Sequence, residues 1–296
     1  MAVINSLKKV IDDAYTNGKY DYHTFRKVSS QASTSGYWVD LSMAPGNPTT
    51  NFYIGGERSA TVPVNWYKKG IWHGGNVAPD RKYLHKICML STSANVAPAP
   101  FLLCDYLMYY PLIDMDNTDP QDLYNTDDGF VGDPVTLPRY ITGTGVQAFL
   151  VATNPYVGGS QFQITYTNSL GVSGQTSKIC TTNTATYIGT IVSSNTAGLR
   201  QYGCFVEMDA NDIGIRSVQN IQFTIPNGGL AALVLVKPIA TVMTREVTAW
   251  AEFDFIKDKP SFPRIYDGAY LNFLTMPSGS IAAVPIVGET TFIWGS

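Results

Sequence analysis

The sequence predicts a mainly β protein: an antiparallel β-sandwich of the jelly-roll type, preceded by a short N-terminal helix and arm. Three observations carry this. Along Gln161–Thr167, Phe162, Ile164 and Tyr166 alternate with Gln163 and Thr165, the period of a strand with one covered face. Glycine and proline punctuate at short intervals, as in Gly158-Gly159, Gly171, Gly174 and Pro226-Asn227-Gly228-Gly229. That is turn chemistry between short strands. Val146–Ala152, interrupted only by Gln147, and Leu230–Val236 are apolar runs, expected of strands covered on both faces.

The first element is a helix. Ile4–Tyr15 spaces Leu7, Val10, Ile11 and Ala14 at helical intervals, with Asn5 or Ser6 as cap and Asn17-Gly18 as stop. So short a helix must pack on the body or on a neighbouring chain. Tyr20, Tyr22, Phe25 and the polar stretch Ser29–Ser35 read as an arm. The expected domains are therefore a helix and arm at 1–35 and a β body at 36–296. The acidic stretch Asp114–Asp133 places a division of that body into two β subdomains near residue 135. Ile221, Phe223 and Ile225 mark another alternating strand, and Val247–Phe255 a further one. Segments 145–166 and 214–236 each read as strand, glycine-rich turn, strand, and are expected to form two hairpins of one sheet system.

Composition excludes several functions. The chain has 296 residues, Lys+Arg 20, Asp+Glu 23 and a net charge of -3. A protein that neutralises nucleic-acid phosphates is basic; this one is not. The longest apolar run, Leu230–Val236, is too short for a membrane-spanning helix. Cys88, Cys104, Cys180 and Cys204 form no CxxC pair, so free core thiols are the first expectation and a disulfide the second. No secretory signal and no Asn-x-Ser/Thr acceptor occur, and synthesis in a bacterial cytoplasm is expected.

No catalytic constellation stands out. Asp114, Asp116, Asp119 and Asp122 could gather oxygens for a structural divalent cation. The EF-hand spacing fails there, however, and aspartates are ordinary turn residues. A solvated loop is the first reading, and no cofactor is expected. His23, His73 and His85 lie in no zinc frame. His73 sits in Trp72-His73-Gly74-Gly75, where a glycine pair permits close backbone approach. Gly171-Val172-Ser173-Gly174 is only half of a nucleophile elbow. Glu207, Asp209 and Asp212 are candidates for a glycosidase carboxylate pair in name only.

The sparse charge is the informative feature. Charged residues make up 15% and aromatics 12%, including 18 tyrosines. An average domain is about 25% charged. Interfaces lose Lys, Glu and Asp and gain Tyr, Trp, Phe and Met. The expectation is a surface committed to contacts with copies of itself, in closed symmetry and most naturally a trimer. Candidate interface residues are Leu7, Val10 and Ile11 on the helix, with Trp66, Tyr67, Trp72, Tyr109 and Tyr110 among the rings. The same rings could equally fill a core or stack on a sugar.

The phrases Gly36-Tyr-Trp-Val-Asp-Leu41, Tyr83-Leu84-His85, Cys104-Asp-Tyr-Leu-Met-Tyr-Tyr-Pro111 with Ile113-Asp114, Leu137-Pro-Arg-Tyr140 and Gly228-Gly-Leu230 with Leu235-Val-Lys-Pro238 resemble those of virion structural proteins of tailed bacteriophages. The likeness spans most of the chain. It implies a non-enzymatic protein that decorates or stabilises the capsid, with the major capsid protein or other virion proteins as partners. A receptor- or carbohydrate-binding spike, fibre or other tail module is the alternative. The resemblance carries over no catalytic residue.

Overall fold

The computed structural model describes residues 4, 6–62, 69–193, 203–258 and 261–295. The fold is mainly β and antiparallel, as the alternation predicts. The described residues form three sheets, built around two long strands, β5 (Ala99–Asp114) and β12 (Leu230–Thr244), which pair from Leu230↔Asp114 to Thr244↔Ala99 with three bulges. With β2 (Val39–Asp40), β7 (Gln147–Ala152) and β15 (Leu271–Thr275) they form the central sheet, in the order β2-β15-β5-β12-β7.

One end of this sheet packs on a second sheet, in which β8 (Gln161–Asn168) and β11 (Ile215–Phe223) are the main strands. Tyr110, Ile113, Leu233 and Leu235 meet Phe162, Ile164, Tyr166, Val218 and Ile221 in that core. The other end packs on a third sheet, made chiefly of β1 (Tyr20–Val28), β4 (Arg81–Ser91) and β16 (Pro285–Gly295). There Phe101, Leu103 and Val242 meet Phe25, Leu84, Ile87 and Phe292. Loops carrying Tyr53, Ile191, Cys204 and Tyr270 close the back of the central sheet over Tyr106, Phe149 and Val234. This double cover explains why Ala148–Ala152 of β7 and the first half of β12 are apolar without a break. Residues on both sides of position 135, such as Leu107, Leu123, Val146 and Leu233, build one core.

Several expectations are corrected. The first part of the stretch read as an arm is a strand: β1 pairs with β16 from Tyr20↔Ile293 to Val28↔Pro285, and Ser29–Ser35 follows it. Its alternation is masked because a lysine, Lys27, occupies a buried position. The helix is shorter than its apolar spacing predicts. Ser6 caps α1 (Leu7–Val10), and a π-helical stretch follows at Ile11–Thr16. Only Val10 and Ala14 of the expected stripe are buried, against Tyr83 and Ile293.

The two glycine-linked segments are not hairpins within one sheet. Each crosses from one layer to the other, so that β7 pairs with β12 and β8 with β11. Val247–Phe255 shortens to β13 (Ala251–Asp254). Thr248 turns the chain at positive φ, and Asp254 accepts from the Ile256 amide at 2.9 Å to open a helical turn, α2 (Phe255–Asp258). Among the described residues no helix is long and apolar enough to cross a membrane.

Candidate interaction surfaces

Among the described residues, exposed apolar side chains gather at several places, of which three are built as follows. The first joins α1 to the edge of β1. Leu7, Ile11 and Tyr15 are exposed along one row, and the Tyr15 ring lies 5.5 Å from that of Tyr20. Tyr22, next on the same strand face, is 58% exposed. On the side away from β16, the strand that pairs with β1 among the described residues is β3 (Gly46–Asn47), at Arg26 and Lys27, and Val28 N donates to Pro45 O. Even-numbered residues therefore turn their backbone groups to this edge. Consistent with that, Tyr22 N donates to Asp21 Oδ1 at 2.9 Å, and Thr24 O accepts from Asn47 Nδ2 at 3.4 Å.

The second place is a groove between the edge of β12 beyond β7 and β13. Two hollows of about 640 and 600 Å³ share Thr241 and Phe253. Met243, Trp250, Arg245, Glu246, Glu252 and Asp258 line the larger one. Trp250 is 59% exposed. Glu252 binds Lys86 at 2.8 Å and Lys257 at 3.1 Å, which hold its carboxyl down at about 2. It is therefore ionised and no proton donor at neutral pH. Sequence reasoning assigns Trp250 no role, because Val247–Phe255 reads as one alternating strand there, whereas in the structure Trp250 stands just before β13.

The third place is a loop end of the second sheet. Arg216 donates through Nε to Thr142 O (3.1 Å) and through Nη2 to Ser169 O (2.7 Å). Gly145 N donates to Ile213 O. These bonds tie together the loops that carry Ile141, Leu170, Val172 and Ile213, all exposed.

The expected interface residues divide. Leu7, Ile11 and Trp72 lie at the surface. Val10, Tyr109 and Tyr110 are buried within the chain, so a single copy already uses their area. The Tyr109 hydroxyl donates to the Ile54 carbonyl. Tyr110 OH donates to Asn125 Oδ1 (2.6 Å) and accepts from Val218 N (2.9 Å). Trp66 and Tyr67 lie outside the described residues.

His73 proves to be a structural pin. Its Nε2 donates to Ala269 O at 3.0 Å, leaving Nδ1 to accept from the buried Lys82 amine at 3.1 Å. Lys82 also reaches the Gly75 carbonyl and Asp267. Burial, reinforced by Lys82, lowers His73 to about 4, so the ring is neutral. Gly74, at φ +85°, lets the chain close on the Asp21 side chain rather than on a ligand. His23 stands 2.8 Å from the Asp21 carboxylate and edge-on to Trp72.

The acidic stretch folds as separate turns. Asp114 Oδ1 accepts from Asp116 N, Asp116 Oδ1 from Gly228 N, and Asp119 N donates to Asn117. Asp122 faces Asn220 at 3.4 Å. Among the described residues no three His, Cys, Asp or Glu side chains converge as a metal site. Asp209 binds Lys178, and Asp212 binds Tyr166 and Asn168. The four cysteines are free thiols.

Two buried carboxylates escaped the sequence reading. Asp40 accepts from Tyr106 OH at 2.6 Å, from Ser42 N and Oγ at 2.8 Å, and from Tyr53 OH. Burial raises its pKa, and these donors oppose the rise. Asp105 is held bidentately by Arg139, at 2.8 and 2.6 Å, and accepts from Tyr270 N. Both sites lock loops to the central sheet.

No family model and no curated protein matches the chain. Solved structures similar to it include the D431N mutant VP2 protein of infectious bursal disease virus in derived T=1 particles. That structure is 8% identical, covers 98% of this chain and 84% of that one, and has a TM-score of 0.19. The T=1 particles derived from the same virus give 9% identity, coverage of 93% and 77%, and a TM-score of 0.16. The VP2 subviral particle gives 10%, coverage of 93% and 80%, and 0.16. Scores of this size carry no argument about fold or function.

Proposed function

We propose that this chain is a non-enzymatic virion structural protein of a tailed bacteriophage. It assembles with copies of itself, most naturally as a trimer, and binds the capsid as a decorating or stabilising subunit. The observation that carries this reading is the grouping of exposed apolar side chains at three places on a body with only 15% charged residues. Isolated exposed apolar residues are normal on a soluble protein, whereas gathered ones mark contact surfaces. Contacts made only in the assembled particle would stabilise it by mass action. Quantitative mass spectrometry of purified particles tests the reading. A fixed copy number relative to the major shell subunit is expected, and absence from particles overturns it.

Trp250 favours a second reading, a carbohydrate-binding module. An exposed indole beside Arg245, Glu246 and Asp258 offers a stacking face and hydrogen-bonding groups together. Glycan-array binding that Trp250→Ala abolishes would support it; an array without signal would remove it.

A further inference from the structure

We propose that the open edge of β1 pairs antiparallel with the same edge of a second copy, about a twofold axis through Tyr22. This deepens the self-assembly proposed above and rests on it. An isologous contact joins copies two by two, whatever symmetry the other surfaces generate.

The register follows from the backbone. Tyr20, Tyr22 and Thr24 direct their amides and carbonyls to the open side, as the Tyr22 and Thr24 hydrogen bonds show. An axis through Tyr22 makes it a hydrogen-bonded pair with its own copy and sets Tyr20 opposite Thr24. The side chains agree with this register. Asp21 then faces His23 of the copy, placing a carboxylate against an imidazole on both sides of the axis. The Asp21 carboxylate that occupies the Tyr22 amide in the single chain is freed for that contact.

Leu7, Ile11, Tyr15, Tyr20 and Tyr22 are each about half exposed, and the Tyr15 ring on the helix lies against that of Tyr20 on β1. From ordinary side-chain areas they offer about 500 Å² per copy, so a contact that extends from the β1 edge onto the helix would bury about 1,000 Å² in a pair, the lower bound for a specific interface. Long open edges are a liability that folded proteins block with charge, proline or a covering element. Tyr20 and Tyr22 instead make this edge aromatic.

Cysteine cross-linking tests the register in the full chain carrying Cys88→Ser and Cys180→Ser, with copper-phenanthroline as oxidant. Tyr22→Cys is expected to give a disulfide-linked dimer, because hydrogen-bonded partners lie about 5.5 Å apart at Cα. Thr24→Cys alone should not, since its two copies would stand about 14 Å apart. It should cross-link when mixed with Tyr20→Cys. Thr24→Pro removes an amide that faces away from β16, so it should keep the circular-dichroism spectrum and lose the pairing; Tyr22→Lys should do the same by charge. Absence of the Tyr22→Cys dimer while native mass still shows multiples of the chain overturns this contact but not assembly. A monomeric native mass removes both.

Discussion

Arg139→Ala should be among the most damaging single changes outside the apolar cores. Asp105 is fully buried, and Arg139 supplies two of its hydrogen bonds as well as its countercharge. Removing one partner of a buried pair strands the other charge and costs about 3–5 kcal/mol. For 296 residues the unfolding entropy is about 0.6 kcal/mol/K, so a loss of about 4 kcal/mol lowers Tm by about 6 °C. Differential scanning calorimetry reads this directly, and pH supplies the internal control. Burial already raises the Asp105 pKa, and Arg139 is what opposes the rise. Without Arg139 the folded carboxyl holds its proton to higher pH than the unfolded one, so the variant loses stability as pH rises. The gap to wild type should therefore shrink between pH 8 and pH 5. A Tm within about 1 °C of wild type at pH 8 would refute the reasoning, as would a gap that widens on acidification.

Other residues give equally definite expectations. Lys27 is buried, donates to Ala44 O and Pro48 O, and has its amine pushed down to about 8 from 10.5 by burial. Between those values the unfolded chain binds more protons, so the cost of burying this lysine is relieved as pH rises. The Tm of wild type relative to Lys27→Met should rise by about 3–5 °C from pH 7.5 to pH 10; a flat difference would contradict the burial. Tyr110→Phe strands Val218 N and Asn125 Oδ1, at about 1–3 kcal/mol, or about 2–5 °C in a thermal melt. Gly288→Ala would put a Cβ 2.3 Å from Phe25 Cζ and 2.6 Å from Cys88 O. An overpacking loss of about 1–3 kcal/mol is expected in urea titration. Trp250→Ala should leave Tm within about 1 °C, since its ring faces solvent.

Most of the layer structure is legible in the sequence, because burial of strand faces leaves a period of two or an unbroken apolar run. Gln161–Thr167 and Leu230–Val236 show both cases. What hides is whatever depends on a partner distant in sequence. β1 is obscured by Lys27, whose carbonyl acceptors come from residues 44 and 48. Tyr109 is buried under the loop that carries Tyr53 and Tyr110 against the second sheet, covers that only the fold brings over them, and a ring at an interface reads the same as a ring in a core. Asp105 and Arg139, 34 residues apart, carry no motif that links them. The loops that carry the exposed Ile141, Leu170, Val172 and Ile213 are likewise brought together by the Arg216 and Gly145 hydrogen bonds, not by spacing along the chain.

The central claim is that the gathered apolar surface is covered by further copies of the chain. Native mass spectrometry of the purified protein at micromolar concentration tests it most directly. The dominant species should be an integer multiple of 32.3 kDa, and the multiple should fall when Tyr22→Lys is introduced. A single species at 32.3 kDa, unchanged on concentration, would contradict the claim.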